Sequence, residues 1–308
     1  LVILSGREVG IRYVLGTQRE LLMKEERKMR KKGFTLIELL VVIAIIALLM
    51  ALLMPALARV KTQAKFVIGQ GNLRTWGQIW MMYTQDNNFM FNAGDSSSGY
   101  PNNRTGKWMQ ALRHLYVGEG EAMADNGITF CPMALKLNSE GGRLGGTFSA
   151  WGKTGSTDPG SSTQSGVFSR GDQGSYGINR WIQSKYPRLA SPSPDCWKTI
   201  NVRRQNEIPM FGDSWWYGAE PRHTDRPPPV QGLYDSSAHG SGQYMERICV
   251  DRHDGSVNWV FFDGSVRKVG LKELWDLRWH RSYDTNYALP DWESEAPWMV
   301  PYKDFRMY

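Results

Sequence analysis

Cysteine is scarce in this chain, with three residues in 308: Cys131, Cys196 and Cys249. No Cys-x-x-Cys spacing occurs, which argues against a structural zinc site. All three lie beyond a long apolar run, where an oxidising compartment is expected, so one disulfide and one free thiol are predicted. Three pairings are open, and Cys131 with Cys196 would close the Gly/Ser-rich stretch between them. Catalytic signatures are equally thin. His114, His223, His239 and His253 have no companion in a recognised nucleophile or metalloprotease motif. The acidic residues offer no distinguished pair of carboxylates for glycoside chemistry. No enzymatic activity is expected.

A spread of positive charge is also missing, although the isoelectric point is near 9.2. Residues 1–33 carry nine Lys or Arg against four Asp or Glu, leaving 28 bases and 26 acids in the rest. The excess belongs to the amino terminus, and nucleic acid loses its main support as a partner. Charge is absent from residues 34–58 apart from Glu38, while Lys24, Arg27, Lys28, Arg30, Lys31 and Lys32 crowd against Gly33. Bases of this kind stay cytoplasmic while the apolar run enters the bilayer. Twenty-five helical residues rise roughly 37 Å, enough to cross a hydrocarbon core of about 30 Å with some tilt. A secretory signal places its small-residue cleavage site after the apolar stretch, whereas Gly33 lies before it, so the helix would be retained.

The segment Lys32-Gly33-Phe34-Thr35-Leu36-Ile37-Glu38 resembles the type IV prepilin motif of pilins and type II secretion pseudopilins. The resemblance implies that a prepilin peptidase cuts between Gly33 and Phe34 and methylates the new amino group of Phe34. It also implies that Glu38 pairs subunits by meeting the amine of a neighbouring Phe34. A carboxylate in a membrane span is costly and usually has a partner. Pro55 matches a position where pilins commonly kink. The implied partners are the peptidase, other pilin-like subunits, an assembly platform and membrane lipid. The implied location is the cytoplasmic membrane, single-pass, with the C-terminal domain outside. Residues 1–22 make the leader long for that family, and a start at Met23 or Met29 would give a short basic one.

After Pro55, Leu57, Val60, Ala64, Val67, Ile68, Trp76, Ile79, Trp80 and Tyr83 keep an approximate helical period. The spacing predicts that the membrane helix continues as an amphipathic helix over 59–85, with Gly69 and Gly71 as weak points. A short helix from Lys107 to Val117 follows, and residues 138–177, dominated by Gly, Ser and Thr, read as a long loop. Ser256 to Phe262 reads as a strand, Asp263-Gly264 as a tight turn and Ser265 to Val269 as the return. Further strands are expected at Thr129–Cys131, Ser175–Ile182 and Ile208–Gly212, and a helix at Leu271–Trp279. The fold class is α+β: a long membrane-spanning helix whose continuation packs on a small antiparallel sheet, the outer domain covering 86–308.

His253, nine intervening residues and Asp263-Gly264 are similar to the H-x9-DG motif of a group of bacterial prepilin-like proteins. Cys131-Pro132, Ser175-Tyr176-Gly177-Ile178-Asn179 and Phe211-Gly212-Asp213-Ser214 look like the same group. The spacing puts His253 and Asp263 at opposite ends of one strand, some 30 Å apart if fully extended. A turn-forming Asp-Gly and a hydrogen-bonded His is the preferred reading. A calcium site drawing on Asp251, Asp254 or Asp263 is the rival, though no defined calcium loop is present. All 13 Trp follow the leader, and most are expected to pack the sheet against the helix. Trp215 and Trp216 are the candidates for facing a ligand.

Overall fold

The computed structural model describes residues 34–91, 108–116, 127–137, 144–152, 173–183, 194–231 and 243–303. The uninterrupted apolar sequence forms one helix, α1, over Leu36–Asp86, which runs through Pro55. Chain contacts divide the molecule into Leu1–Arg59 and Val60–Tyr308. In the first unit every described residue is exposed. Among the described residues of that unit nothing covers the Leu, Ile and Val side chains, and α1 is long and apolar enough to cross a membrane. This is the character of a single-pass anchor.

In the second unit α1 buries Gly69, Leu73, Trp76, Gly77, Ile79, Trp80 and Thr84. Leu57, Val60, Val67 and Ile68, counted in the predicted apolar face, remain exposed. The buried stripe therefore starts later than the periodicity suggests. The helix does not break at its glycines. Gly77 allows close approach, since a Cβ there would lie 2.9 Å from Val260 Cγ2, and a Cβ on Gly69 would contact Asn258, Pro132 and Tyr176 at 3.6 Å.

Helix α2, Trp108–Tyr116, occupies the predicted place. The strands follow as β1 (Lys136–Leu137), β2 (Ser149–Gly152), β3 (Gln173–Gly174), β4 (Tyr176–Asn179), β5 (Pro209–Asp213), β6 (Gly218–Ala219), β7 (Ser256–Phe261) and β8 (Val266–Gly270). The larger sheet has the order β6-β4-β5-β7-β8, antiparallel except for the β4–β6 pair, and a smaller one has the order β1-β2-β3. The α+β class expected from sequence is what the chain adopts.

Strand β7 is buried along its full length, so both of its faces are covered. Val260 faces Gly77 of α1, while Trp259 on the opposite face meets Trp279 edge-on at 4.9 Å. Gly212 sits opposite Trp259 in the ladder, and a Cβ there would fall 2.4 Å from the indole. The β7–β8 turn forms at Asp263-Gly264 as predicted: Gly264 has φ 78°, and Asp263 Oδ1 accepts the Ser265 N–H at 2.9 Å.

Three expectations are corrected. Thr129–Cys131 is not a strand, because Gly127–Thr129 makes a 3-10 turn and α1 takes carbonyls in and just after it: Trp76 Nε1 donates to Ile128 O and Asn72 Nδ2 to Phe130 O. Leu271–Trp279 forms only a 3-10 segment, Lys272–Asp276, since Trp279 turns back to donate its indole N–H to Leu274 O at 2.7 Å. The Gly/Ser-rich stretch contains β2 and β3, held because Trp151 Nε1 donates to Tyr176 O. Residues 153–172 of it lie outside the described residues.

His280 is buried against Trp181 at 4.7 Å and Tyr283 at 5.3 Å. Burial is the main cause that pulls its pKa down to about 4. Between that value and about 6.5 the unfolded chain takes a proton the folded ring resists, so stability is lost as pH falls through the window. Denaturant unfolding at pH 7 and pH 5 should show a drop that His280→Phe reduces by about 1 to 2 kcal/mol. Comparing the two chains isolates this ring from Asp225, whose carboxyl burial pushes up to about 6. Equal pH slopes in the two chains would refute the assignment.

Candidate functional site

Two places gather the residues singled out by sequence. The first is the start of α1. Thr35 precedes the helix, and its backbone N–H and hydroxyl both donate to Glu38 Oε2, at 2.9 and 2.8 Å. The Glu38 N–H in turn donates to Thr35 Oγ1 at 3.2 Å. This reciprocal pattern is a capping box, which satisfies two amide donors left open at the helix terminus. Glu38 thus has an intrachain partner that the sequence reading did not supply, although Thr-x-x-Glu before an apolar run is its signature. Phe34 is 70 % exposed. Gly33 and the basic cluster lie outside the described residues.

The second place is buried in the second unit, Val60–Tyr308. Five segments meet there: the turn before β1, the residues before β2, the β3–β4 junction, the end of β5 and the entry to β7. Asp213 closes β5, and its Oδ2 accepts the Asn258 N–H of β7 at 2.8 Å. Arg252, 1 % exposed, donates Nη1 to Asp213 Oδ1 at 3.1 Å and to Ser175 O. Its Nε donates to Thr147 O, and its Nη2 to Gly146 O and Ser214 O. Every guanidinium nitrogen is engaged, which is what a buried cation requires. His253 Nε2 lies 3.2 Å from Asp213 Oδ2 and 3.5 Å from Cys131 Sγ, with the Phe66 ring of α1 edge-on at 5.3 Å. The Cys131 N–H donates to Ser175 Oγ.

Burial would raise the Asp213 carboxyl, but the His253 and Arg252 charges and the Asn258 amide outweigh it and hold it at about 2. Burial first, then the Asp213 charge, pushes the Cys131 thiol well above its usual range. Cys131, His253 and Asp213 are not arranged as a nucleophilic triad. Thiol and carboxylate face the same ring nitrogen, whereas a triad needs one on each.

His253 and Asp263 lie on opposite sides of β7, as their spacing implies, and only His253 reaches the cluster. The calcium candidates do not converge. Asp251 Oδ1 accepts the Gly255 N–H and its Oδ2 accepts from Gln231 and Tyr302. Asp254 takes a left-handed backbone conformation with φ 54°, and Asp263 is committed to its turn. Among the described residues the one group of His, Cys and carboxylate atoms close enough to share an ion is Cys131, Asp213 and His253.

The predicted disulfide is not formed, and all three cysteines are free and buried. Their sulfurs have separate surroundings. Cys131 faces His253, Cys249 lies 3.9 Å from Met299 Sδ, and Cys196 lines a cleft with Trp197. Burial pushes the Cys196 thiol up to about 12 and Cys249 upward also. Trp215 is 2 % exposed and donates its indole N–H to Glu246 O, so it is a core residue and presents no face to a ligand. Trp216 is half-buried against it. Arg252 escaped sequence reasoning altogether, because nothing in Asp-Arg-His-Asp marks which charge will be buried.

Residues 28–54 match the family model of the prokaryotic N-terminal methylation motif. No curated protein and no solved structure matched the chain. The match supports a type IV pilin-like prepilin, for which processing by a prepilin peptidase and assembly with other pilin subunits are implied.

Neutralising Asp213 leaves the Arg252 charge buried without its counter-charge. Asp213→Asn should lower the unfolding free energy by about 3 to 5 kcal/mol, while Asp263→Asn, in an exposed turn, should cost under about 1 kcal/mol. Denaturant titration followed by Trp fluorescence in detergent compares them. Equal losses would mean that the Arg252–Asp213 pair is not a principal support.

Proposed function

We propose that the chain is a prepilin-like structural subunit, cut after Gly33 and N-methylated on Phe34. It assembles through its N-terminal helix into a pilus-type or pseudopilus filament of a type II secretion-like system. The carrying observation is an uncovered apolar stretch of α1, residues 36–58, that begins within a matched methylation motif and bears one carboxylate, Glu38, in its first turn. Lipid covers such a surface before assembly and neighbouring helices cover it afterwards. The bases before Gly33 favour an orientation with the outer domain beyond the cytoplasmic membrane. The part played is packing, with no catalytic step. The spacing of His253 and Asp263-Gly264 supports kinship with prepilin-like proteins that carry H-x9-DG.

A second reading has its own observation. Lys198, Arg203, Arg278 and Arg281 line one open cleft of about 540 Å³ beside Trp197, and the Arg278 guanidinium lies 5.5 Å from the Trp197 ring. Four cations around one cleft suit an acidic polysaccharide or an acidic segment of an exported protein, presented by a membrane-tethered binding module.

Mass spectrometry of the N-terminal peptide of membrane-purified protein should find a chain starting at methylated Phe34. A peptide retaining Lys31-Lys32-Gly33 would overturn the processing and favour the tethered module. Glu38→Gln keeps the hydrogen-bonding of the capping box and removes the charge. It should abolish incorporation into sheared filaments while leaving the level of membrane-inserted protein unchanged. Normal incorporation of Glu38→Gln would exclude pairing of that carboxylate with the amine of Phe34.

A further inference from the structure

The cluster around His253 brings more groups to one ring nitrogen than hydrogen bonding accounts for. Nε2 holds one proton or one lone pair, yet Cys131 Sγ and Asp213 Oδ2 both close on it, at 3.5 and 3.2 Å. Asp213 Oδ2 already has the Asn258 amide as donor. Two groups closing on one ring nitrogen that has a single proton or lone pair to share call for an explanation.

An ion at the centre supplies one. A tetrahedral zinc ion takes sulfur at about 2.3 Å, imidazole nitrogen at about 2.0 to 2.1 Å and carboxylate oxygen at about 2.0 to 2.2 Å. Those bond lengths place sulfur and nitrogen about 3.6 Å apart and nitrogen and oxygen about 3.4 Å apart. The separations found here are within about 0.2 Å of both. Calcium and magnesium take oxygen ligands, so a thiol and an imidazole select against them. A borderline-soft divalent ion fits the set.

We propose that Cys131, Asp213 and His253 form a structural site for a zinc-class divalent cation. On binding, Cys131 gives up its thiol proton to solvent, His253 offers the Nε2 lone pair and Asp213 offers Oδ2. The two positive charges are met by thiolate and carboxylate, while Asp213 Oδ1 stays with Arg252. Three protein ligands leave a fourth position for water. Three protein ligands and a water make the set of open zinc sites, but the ligand side chains here are 3 % exposed or less, so no substrate reaches the ion and its part is to hold chain segments together. Its ligands come from the turn that α1 holds through Asn72 and Trp76, from the end of β5 and from the entry to β7. The ion would therefore fasten the loop before β1 to the sheet. Cysteine spacing argues against such a site, because the three ligands are separated by 82 and 40 positions and zinc signatures are read from local pairs. The inference stands apart from the filament reading and is tested without it.

The full chain, purified in detergent and freed of metal with a chelator, is titrated with cobalt(II). The expected result is one cobalt per chain with tetrahedral visible bands and a thiolate-to-cobalt charge-transfer band, both displaced by zinc. Cys131→Ser should remove the charge-transfer band, and His253→Gln should weaken cobalt binding at least tenfold. Cys249→Ser, equally buried but beside Met299, should leave both unchanged. An absence of the charge-transfer band in the unsubstituted chain would overturn the proposal and leave a hydrogen-bonded clasp. So would a band that survives in Cys131→Ser. Should Cys131→Ser fail to fold, the unsubstituted titration and the Cys249→Ser control decide the matter between them.

Discussion

The C-terminal domain depends on the burial of one positive charge. Arg252 reaches four carbonyl oxygens, in residues 146, 147, 175 and 214, and one carboxylate, on Asp213. Removing a guanidinium from water is expensive unless every donor is met. The segments that meet it are far apart in sequence and short in regular structure. β1 and β3 have two residues each, too few to hold a loop by ladder bonds alone. A planar fork with five donors can fix several carbonyls at set angles, which a lysine could not do. The small sheet is positioned by a side chain as much as by its own pairing.

That dependence explains which parts of the fold were legible in the sequence. Where local pattern decides the structure, the reading was close. The Asp-Gly turn carries its own geometry, α1 carries a long apolar run, and β7 and β8 carry the residues of a hairpin. Where distant atoms decide, it failed. Leu271–Trp279 has a helical pattern, but the Trp279 indole bonds back to Leu274 O. Thr129–Cys131 has strand-forming residues, but α1 takes the neighbouring carbonyls. Gly69 and Gly77 show the same division. Helix propensity marks glycine as a weakness, and only the sheet opposite reveals why a side chain has no room at 77.

The candidate sites divide in the same manner. Cys131, Asp213 and His253 all lie in segments that the sequence pattern sets apart, yet the pattern links His253 with Asp263 by spacing and leaves three cysteine pairings open. The expectation of a disulfide rested on compartment and count, which say nothing about whether two sulfurs can approach within bonding distance. Three buried thiols in separate surroundings are inert in themselves, because burial holds each in its neutral form. Trp215 was marked for its pairing with Trp216 and the polar loop beyond. Its indole N–H had a carbonyl to satisfy inside the domain, and that requirement placed it in the core.

Glu38 is bound by a related constraint. A carboxylate at the membrane end of an apolar helix needs partners in every state the protein visits. In the single chain the Thr35 amide and hydroxyl supply them, and both bonds fall on Oε2. A carboxylate accepts through two oxygens with about four lone-pair directions, so Oε1 can take a cationic amine while Oε2 keeps the cap. Under the proposed assembly, moving from lipid to filament adds a charge pair to Glu38 without first breaking its existing bonds. The helix start then stays capped throughout, and the carboxylate never has to cross an unpartnered state between membrane and filament.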